Sequence, residues 1–210
     1  MQTIGILSGD IVGSRAIDDK QALRDALDLT LARVRESFGG VGMRYRGDAF
    51  QIAIPDGADV MRAAVLIRAS LLEHSPSRRQ PWDARVSASL GGSEMPTEGN
   101  FTDADGPAFV RSGQGLDDLS RNDQRLGLFL SQEQREIDLL IRFVDDIVGQ
   151  WSHNAAEVVR LSLTTSLTQS ELAIRLERSQ PTINRRLTAA RWSLVKDFLT
   201  FMRQRLESLA

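Results

Sequence analysis

Met43-Arg44-Tyr45-Arg46-Gly47-Asp48-Ala49-Phe50-Gln51-Ile52-Ala53-Ile54 is the stretch on which the fold turns. Two short alternating segments flank a Gly-Asp pair, the pattern of a β-hairpin. Before the hairpin, residues 18–38 place Ala22, Leu23, Ala26, Leu27, Leu29, Leu31, Val34 and Phe38 at near-helical spacing, with Asp18 and Asp19 at the N-terminal end. Upstream of that helix, residues 2–9 read as a buried strand. Beyond the hairpin, 58–73 is rich in alanine and leucine and is predicted as an amphipathic helix, and 84–90 as a strand. The order β-α-β-β-α-β is a split β-α-β repeat. It predicts the α+β class, with a ferredoxin-like antiparallel sheet carrying helices on one face.

The remaining chain reads as a polar, acidic loop over 93–105, a helix over 107–120 and a strand over 126–130. A further helix follows to about residue 150, with Ser131 as N-cap and Gln134 three residues on. Everything after it is helical. Charge divides the chain in the same place. Residues 1–150 hold 17 Lys and Arg against 23 Asp and Glu, whereas residues 151–210 hold 9 against 5. The split predicts a sheet-bearing domain over 1–130, a connecting helix over 131–150 and a basic helical domain over 151–210 that faces an anionic partner.

Composition removes several functions. There is no cysteine, which excludes disulfides, thiol nucleophiles and the common zinc fingers and suits a reducing cytoplasm. His74 and His153 are the only histidines, too few for a His-rich metal site. No apolar run approaches 18 residues, so no membrane partner is expected.

Two aspartates carry the chemistry of the first domain. Ser8-Gly9-Asp10-Ile11-Val12-Gly13-Ser14-Arg15 closes strand one, and Arg46-Gly47-Asp48-Ala49-Phe50 forms the hairpin tip. In a ferredoxin-like sheet these elements are neighbours. Two carboxylates a few ångströms apart are comfortable mainly with a cation, and hard oxygen ligands suit Mg²⁺ or Mn²⁺ bridging to phosphate. The Gly13-Ser14-Arg15 turn adds backbone N–H groups and one positive charge for those phosphates. The plainer reading is that Asp48 is a turn residue and Asp10 a cap.

The basic tail gives a sharper pattern. Thr168-Gln169-Ser170-Glu171 is a capping box followed by Leu172, Ala173 and Leu176 on one face. A turn at 177–179 leads to a second helix with Ser179 as N-cap and Pro181 in the first turn. Ile183 and Leu187 point inward, leaving Gln180, Thr182, Asn184, Arg185 and Thr188 on the free face. This resembles the helix-turn-helix of bacterial regulators and predicts double-stranded DNA as partner. Thr168, Gln169 and Ser179 lie at the helix starts, Gln180, Thr182, Asn184 and Arg185 face base edges, and Arg175, Arg178, Arg186 and Arg191 face phosphates. The plainer reading is a helical bundle with a solvated basic face.

Asp10-Ile11-Val12-Gly13-Ser14 is similar to the first metal motif of class III nucleotidyl cyclases, and Gly47-Asp48-Ala49-Phe50 to their second. That resemblance covers about residues 1–130. It implies metal at Asp10, the Ile11 backbone and Asp48, and the triphosphate of a purine nucleotide along Ile11 to Ser14, with Val12, Gly13, Ser14, Arg15 and Gly47 around it. It also places Arg44 where those cyclases often carry a base-reading lysine. One departure stands out. The Asn-x-x-x-Arg of active cyclases is absent from 106–116, where Arg111 is left as a displaced cation for phosphate. The resemblance therefore leaves catalysis open, between a nucleotide sensor and a Mg²⁺- or Mn²⁺-dependent cyclase.

Over nearly its whole length the chain resembles the SatD-like family. It carries Gly9-Asp10-Ile11-Val12-Gly13-Ser14-Arg15, Gly47-Asp48-Ala49-Phe50-Gln51, Asp105-Gly106-Pro107-Ala108-Phe109 and the helix-turn-helix at 167–191. Both halves imply a homodimer, and the helix over 131–150 is apolar on more than one seam.

Overall fold

The computed structural model describes residues 3–45, 47–97, 100–101 and 104–209. Arg46 of the hairpin motif and part of the acidic 93–105 loop lie outside the described residues. The strands are β1 (Thr3–Ile11), β2 (Val41–Arg44), β3 (Ala49–Ile54), β4 (Ala84–Gly92) and β5 (Leu126–Phe129). The helices are α1 (Lys20–Phe38), α2 (Val60–Glu73), α3 (Pro107–Arg121), α4 (Arg135–Gly149), α5 (His153–Thr164), α6 (Gln169–Arg175), α7 (Gln180–Ala189) and α8 (Trp192–Glu207).

The sheet runs β2-β3-β1-β4-β5. Its first four strands are antiparallel neighbours in the ferredoxin-like order. Gly47, at φ 88°, lets the chain reverse between β2 and β3. Two expectations are corrected. β5 pairs parallel to β4, so the sheet is not wholly antiparallel. Helices also cover both faces. α1 and α2 lie over Leu7, Ile52, Ile54, Val86 and Leu128, whereas α3 lies on the opposite face with Ile4, Ile6 and Ala53. Small side chains make room for α3. Ser112 meets Ser8, hydroxyl to hydroxyl at 2.8 Å, and a Cβ on Gly115 would stand 2.3 Å from the Phe129 ring.

α2 has no free face of the predicted kind. From Val60 to Leu72 every residue but Arg62 is buried, so this is a central helix, apolar all round. The sheet and α1 pack on one side of it, α5 and α8 on the other. One apolar cluster therefore runs from Leu7 and Ile52 through α2 to Ile141 and Val144 of α4, Val159 and Leu163 of α5, and Val195 and Met202 of α8. α4 starts at Arg135 after Gln134, three residues later than the Ser131 cap predicts.

Inside this apolar helix sits Arg68, fully buried. Its Nε and Nη2 donate to the two oxygens of Asp83 at 2.9 and 2.8 Å, and its Nη1 donates to Asp145 of α4 at 2.6 Å. Arg125, at the foot of β5, adds Nη1 to Asp83 at 2.9 Å and its backbone N–H to Asp145 at 2.8 Å. Burial alone would raise the Asp83 carboxyl, but the Arg68 guanidinium and then Arg125 hold it below the usual carboxylate range.

Removing the central cation strands two carboxylates in the interior. Arg68→Met is expected to lower unfolding stability at pH 7 by about 3–5 kcal/mol, read by urea denaturation. Asp83 has a depressed folded value. Its contribution is therefore full above the ordinary 3.8 and is lost as pH falls toward the folded value. The deficit of Arg68→Met should accordingly narrow below that pH. A deficit under 1 kcal/mol at pH 7 would show that the cluster is not what holds α2 to β4 and α4.

Candidate metal site and basic helix pair

Strand parity decides which predicted residues meet at the first site. Asp10 pairs with Ala49 on β3 and Arg85 on β4. Cross-strand partners share a face, so Asp10 and Arg85 lie on the α3 side, in line with Ser8 and Gln51. Asp48 approaches from the hairpin tip and Asp117 from α3. The two negative charges reinforce burial in raising the Asp10 carboxyl, and the Arg85 guanidinium lowers it only in part. Burial is the largest of these influences.

Asp10 Oδ1 is buried and accepts no hydrogen bond, and the nearest cation, Arg85 Nη1, stands 3.5 Å away. A buried carboxylate oxygen with no close hydrogen bond, under the charge of a second carboxylate, fits a divalent cation. Among the described residues no group of three or more His, Cys, Asp or Glu is placed to hold a metal ion. An ion held by Asp10 and Asp48 would thus need oxygens from the Ile11 backbone, water or a ligand's phosphates. The Ile11 side chain itself belongs to the core beneath α1.

Beyond Asp10 the chain is anchored by Val12 N–H to the Asp83 carbonyl at 2.9 Å, turns at Gly13 in the left-handed region, and makes a single 3-10 turn over Ser14–Ala16. Lys20 Nζ donates to the Ser14 carbonyl and, at 3.0 Å, to that of Arg15, so the loop is held from the α1 side. The N–H groups of Gly13 and Ser14 donate to no oxygen among the described residues, and Arg15 is exposed.

Two predicted members do not join this site. Arg44 pairs with Phe50, so it faces α1, where its guanidinium meets Asp28 at 3.2 Å. Arg111 donates to the Leu90 carbonyl at 2.6 Å and to Ser89 Oγ at 3.3 Å. Ser89 lies four residues along β4 from Arg85, roughly 13 Å at strand spacing. Asp117, which sequence reading passed over, is the α3 residue at the Asp10 end.

At the other end of the chain the expected capping box is present. Glu171 N–H donates to Thr168 Oγ1 at 3.3 Å, and Thr168 N–H and its hydroxyl donate to Glu171 Oε2 at 2.7 and 2.8 Å, which holds the Glu171 carboxyl below its usual range. A turn with Glu177 at φ 52° joins α6 to α7. Leu172, Ala173, Ile183 and Leu187 close a small core on Val158 and Leu161 of α5. Ser179 Oγ lies 3.0 Å from Thr182 Oγ1 at the start of α7. Gln169, Gln180, Asn184, Arg185 and Thr188 are exposed and Thr182 half-buried. Arg186 differs from expectation. It sits one turn after Ile183 and donates to Glu157 of α5 at 2.8 Å, so its charge is spent within the protein.

Replacement of Asp10 separates a ligand-holding role from a structural one. Its raised carboxyl means that ionised Asp10 works against the fold, so metal-free stability falls as pH rises through the folded value. Asp10→Asn should therefore melt at the same or a higher temperature in chelator, yet lose any stabilisation by Mn²⁺. A lower melting point in chelator would make Asp10 a strut for Arg85 instead.

No protein-family model matches the chain, and no curated protein does. Among solved structures, the chain is similar to the GGEEF domain of a diguanylate cyclase from Vibrio cholerae, at 16% identity and a TM-score of 0.46, over 63% of this chain and 85% of that one. It is also similar to a bacterial light-regulated adenylyl cyclase, at 15% identity and a TM-score of 0.44, over 61% of this chain and 75% of that one. The sheet order and the placement of the helices stand on the chain's own geometry.

Proposed function

We propose that this is a DNA-binding transcriptional regulator of the SatD-like kind, whose sheet-bearing half binds a purine nucleotide with Mg²⁺ or Mn²⁺. The observation that carries the DNA half is the free face of α7. Gln180, Asn184, Arg185 and Thr188 stand in solvent, and Arg175, Arg178 and Arg185 make no ion pair among the described residues. Glutamine and asparagine match adenine edges and arginine matches guanine, with the neighbouring arginines toward phosphates.

The buried Asp10 oxygen, which accepts no close hydrogen bond and feels the Asp48 charge, supports the second half. Here Asp10 and Asp48 hold the ion, which neutralises phosphate charge, while the N–H groups of Gly13 and Ser14 and the Arg15 guanidinium receive the phosphate oxygens. The competing reading, a working nucleotidyl cyclase, draws on the same two carboxylates. Against it, Arg111 is committed to the Leu90 carbonyl far along β4, and the other arginine of α3, Arg121, pairs with Asp118. Without an arginine of α3 at the transferring phosphate such a site would lose orders of magnitude in rate.

The second copy for a homodimer is proposed to lie on α4. Ile137, Ile141, Val144 and Val148 face the core, while Leu139, Leu140 and Phe143 are exposed, Phe143 at 62%. Such a seam would set the spacing of two α7 helices on two half-sites. Nucleotide binding would then reach DNA affinity through α2, which packs on both the sheet and α5, with reciprocal effects of roughly 5–150-fold.

Fluorescence anisotropy with duplex DNA from upstream of the protein's own gene tests the main reading. Arg185→Ala should weaken preferred-sequence binding by about 1–3 kcal/mol, and Arg178→Ala should lower the salt slope by about one phosphate. Arg186→Ala should act on stability and leave the slope unchanged. Absence of salt-sensitive binding at micromolar protein removes the regulator reading. In sedimentation velocity the wild type should run as a dimer and Phe143→Glu as a monomer. A monomeric wild type, with and without DNA, removes the α4 seam.

A further inference from the structure

α7 and α8 are separated by a break that their sequence does not call for. Leu187-Thr188-Ala189-Ala190-Arg191-Trp192-Ser193-Leu194 holds no glycine or proline, and its alanines, leucines and arginine favour helix. Yet α7 stops at Ala189 and α8 begins at Trp192, with Arg191 before it at φ 50° and ψ 37°. That left-handed conformation is unfavourable for a residue with a Cβ and costs glycine little. An interaction elsewhere must outweigh continuing the helix. In an unbroken helix the Ala190 carbonyl would accept Leu194 N–H. Here it accepts Trp151 Nε1 at 2.9 Å, and both residues are buried. An indole N–H away from water is costly without an acceptor, so the bond is favoured from both sides.

Resting on the DNA-binding reading above, we propose that Trp151 is the positioning residue of α7. By taking the Ala190 carbonyl it keeps Arg191 left-handed, and so fixes the angle at which α7 presents Gln180, Asn184 and Arg185. The break turns the chain from one core to another. α7 buries Ile183 and Leu187 against α5 and α6, whereas α8 buries Val195, Phe198 and Met202 in the central cluster. Trp151 itself is tied to the end of α4, where its N–H donates to the Val148 carbonyl at 3.1 Å, and the next residue, Ser152, caps α5. The angle of α7 is thereby referred to α4, the helix of the proposed dimer seam. A purely space-filling role for the indole predicts something different, namely that its removal has the same effect whatever residue stands at 191.

A double-mutant cycle on the full chain separates the two, with wild type, Trp151→Phe, Arg191→Gly and the double variant titrated with the upstream duplex. Trp151→Phe keeps an aromatic ring and removes the N–H. It should weaken preferred-sequence binding by roughly tenfold in the wild-type background and by less than about twofold beside Gly at 191, which holds the left-handed turn unaided. Loss of the Arg191 charge acts alike in both glycine-bearing proteins and cancels in the cycle. Backbone chemical shifts of Arg191, read by NMR without DNA, should move from left-handed to helical values in Trp151→Phe. An equal loss of DNA affinity in both backgrounds, or none in either, overturns the positioning role. Unchanged Arg191 shifts overturn it too and leave the DNA reading intact. Shifts that move while wild type binds no DNA uphold the hold of Trp151 on the break and overturn the DNA reading.

Discussion

A guanidinium without access to water is tolerable only where charge and hydrogen bonds replace its hydration in full. Arg68 meets that condition by drawing Asp83, Asp145 and Arg125 to one point, from the approach to β4, from α4 and from the foot of β5. Those three segments are far apart in sequence and cannot drift without leaving a charge unpaired. Asp83 also holds Val12 through its carbonyl, so the same point sets where the chain leaves β1 after Asp10. The position of the candidate metal site and the seat of α4 thus trace to one buried cation.

The second constraint is the smallness of the α3 face. Ser8, Ser87, Ser89 and Gly91 put little bulk between β1, β4 and α3, and Gly115 lets the helix close on Phe129. This closeness presses a helix carrying Asp117 toward Asp10. The polar bonds that line this face run from Tyr45 to Gln51, to Ser8 and to Ser112, and give the site a hydrogen-bonded floor instead of an apolar one.

Much of the fold was legible because hydrophobic period and turn residues agree. Gly47 and Asp48 mark the reversal, and Gly39 ends α1 in the left-handed region as its position implies. What could not be read was which residues cross between elements. α2 looks amphipathic because Arg62, Arg68 and Glu73 interrupt it, yet Arg68 pairs inward and Glu73 binds Arg33 and Arg160 across helix contacts. The resemblance singles out Arg44 as base-reading, but strand parity opposes it to Phe50, an apolar residue facing the helices, on the face away from Asp10. Arg186, one turn after the buried Ile183, carried a similar warning. Asp117 gave no signal, since its meaning depends on a parallel strand pairing that sequence spacing does not disclose.

α5 presents Val158 and Leu161 to α6 and α7 and presents Ala156, Val159 and Leu163 to the central cluster. It belongs to both halves at once, and Trp151 ties its beginning to the end of α7 by donating to the Ala190 carbonyl at 2.9 Å. A unit with such a helix is not a cassette. Grafting the last sixty residues onto another protein would carry along an apolar flank shaped for α2, and the host would have to supply a matching surface. Descent of the two halves by simple exchange of segments is correspondingly constrained: whatever replaces the tail must first learn to cover α2.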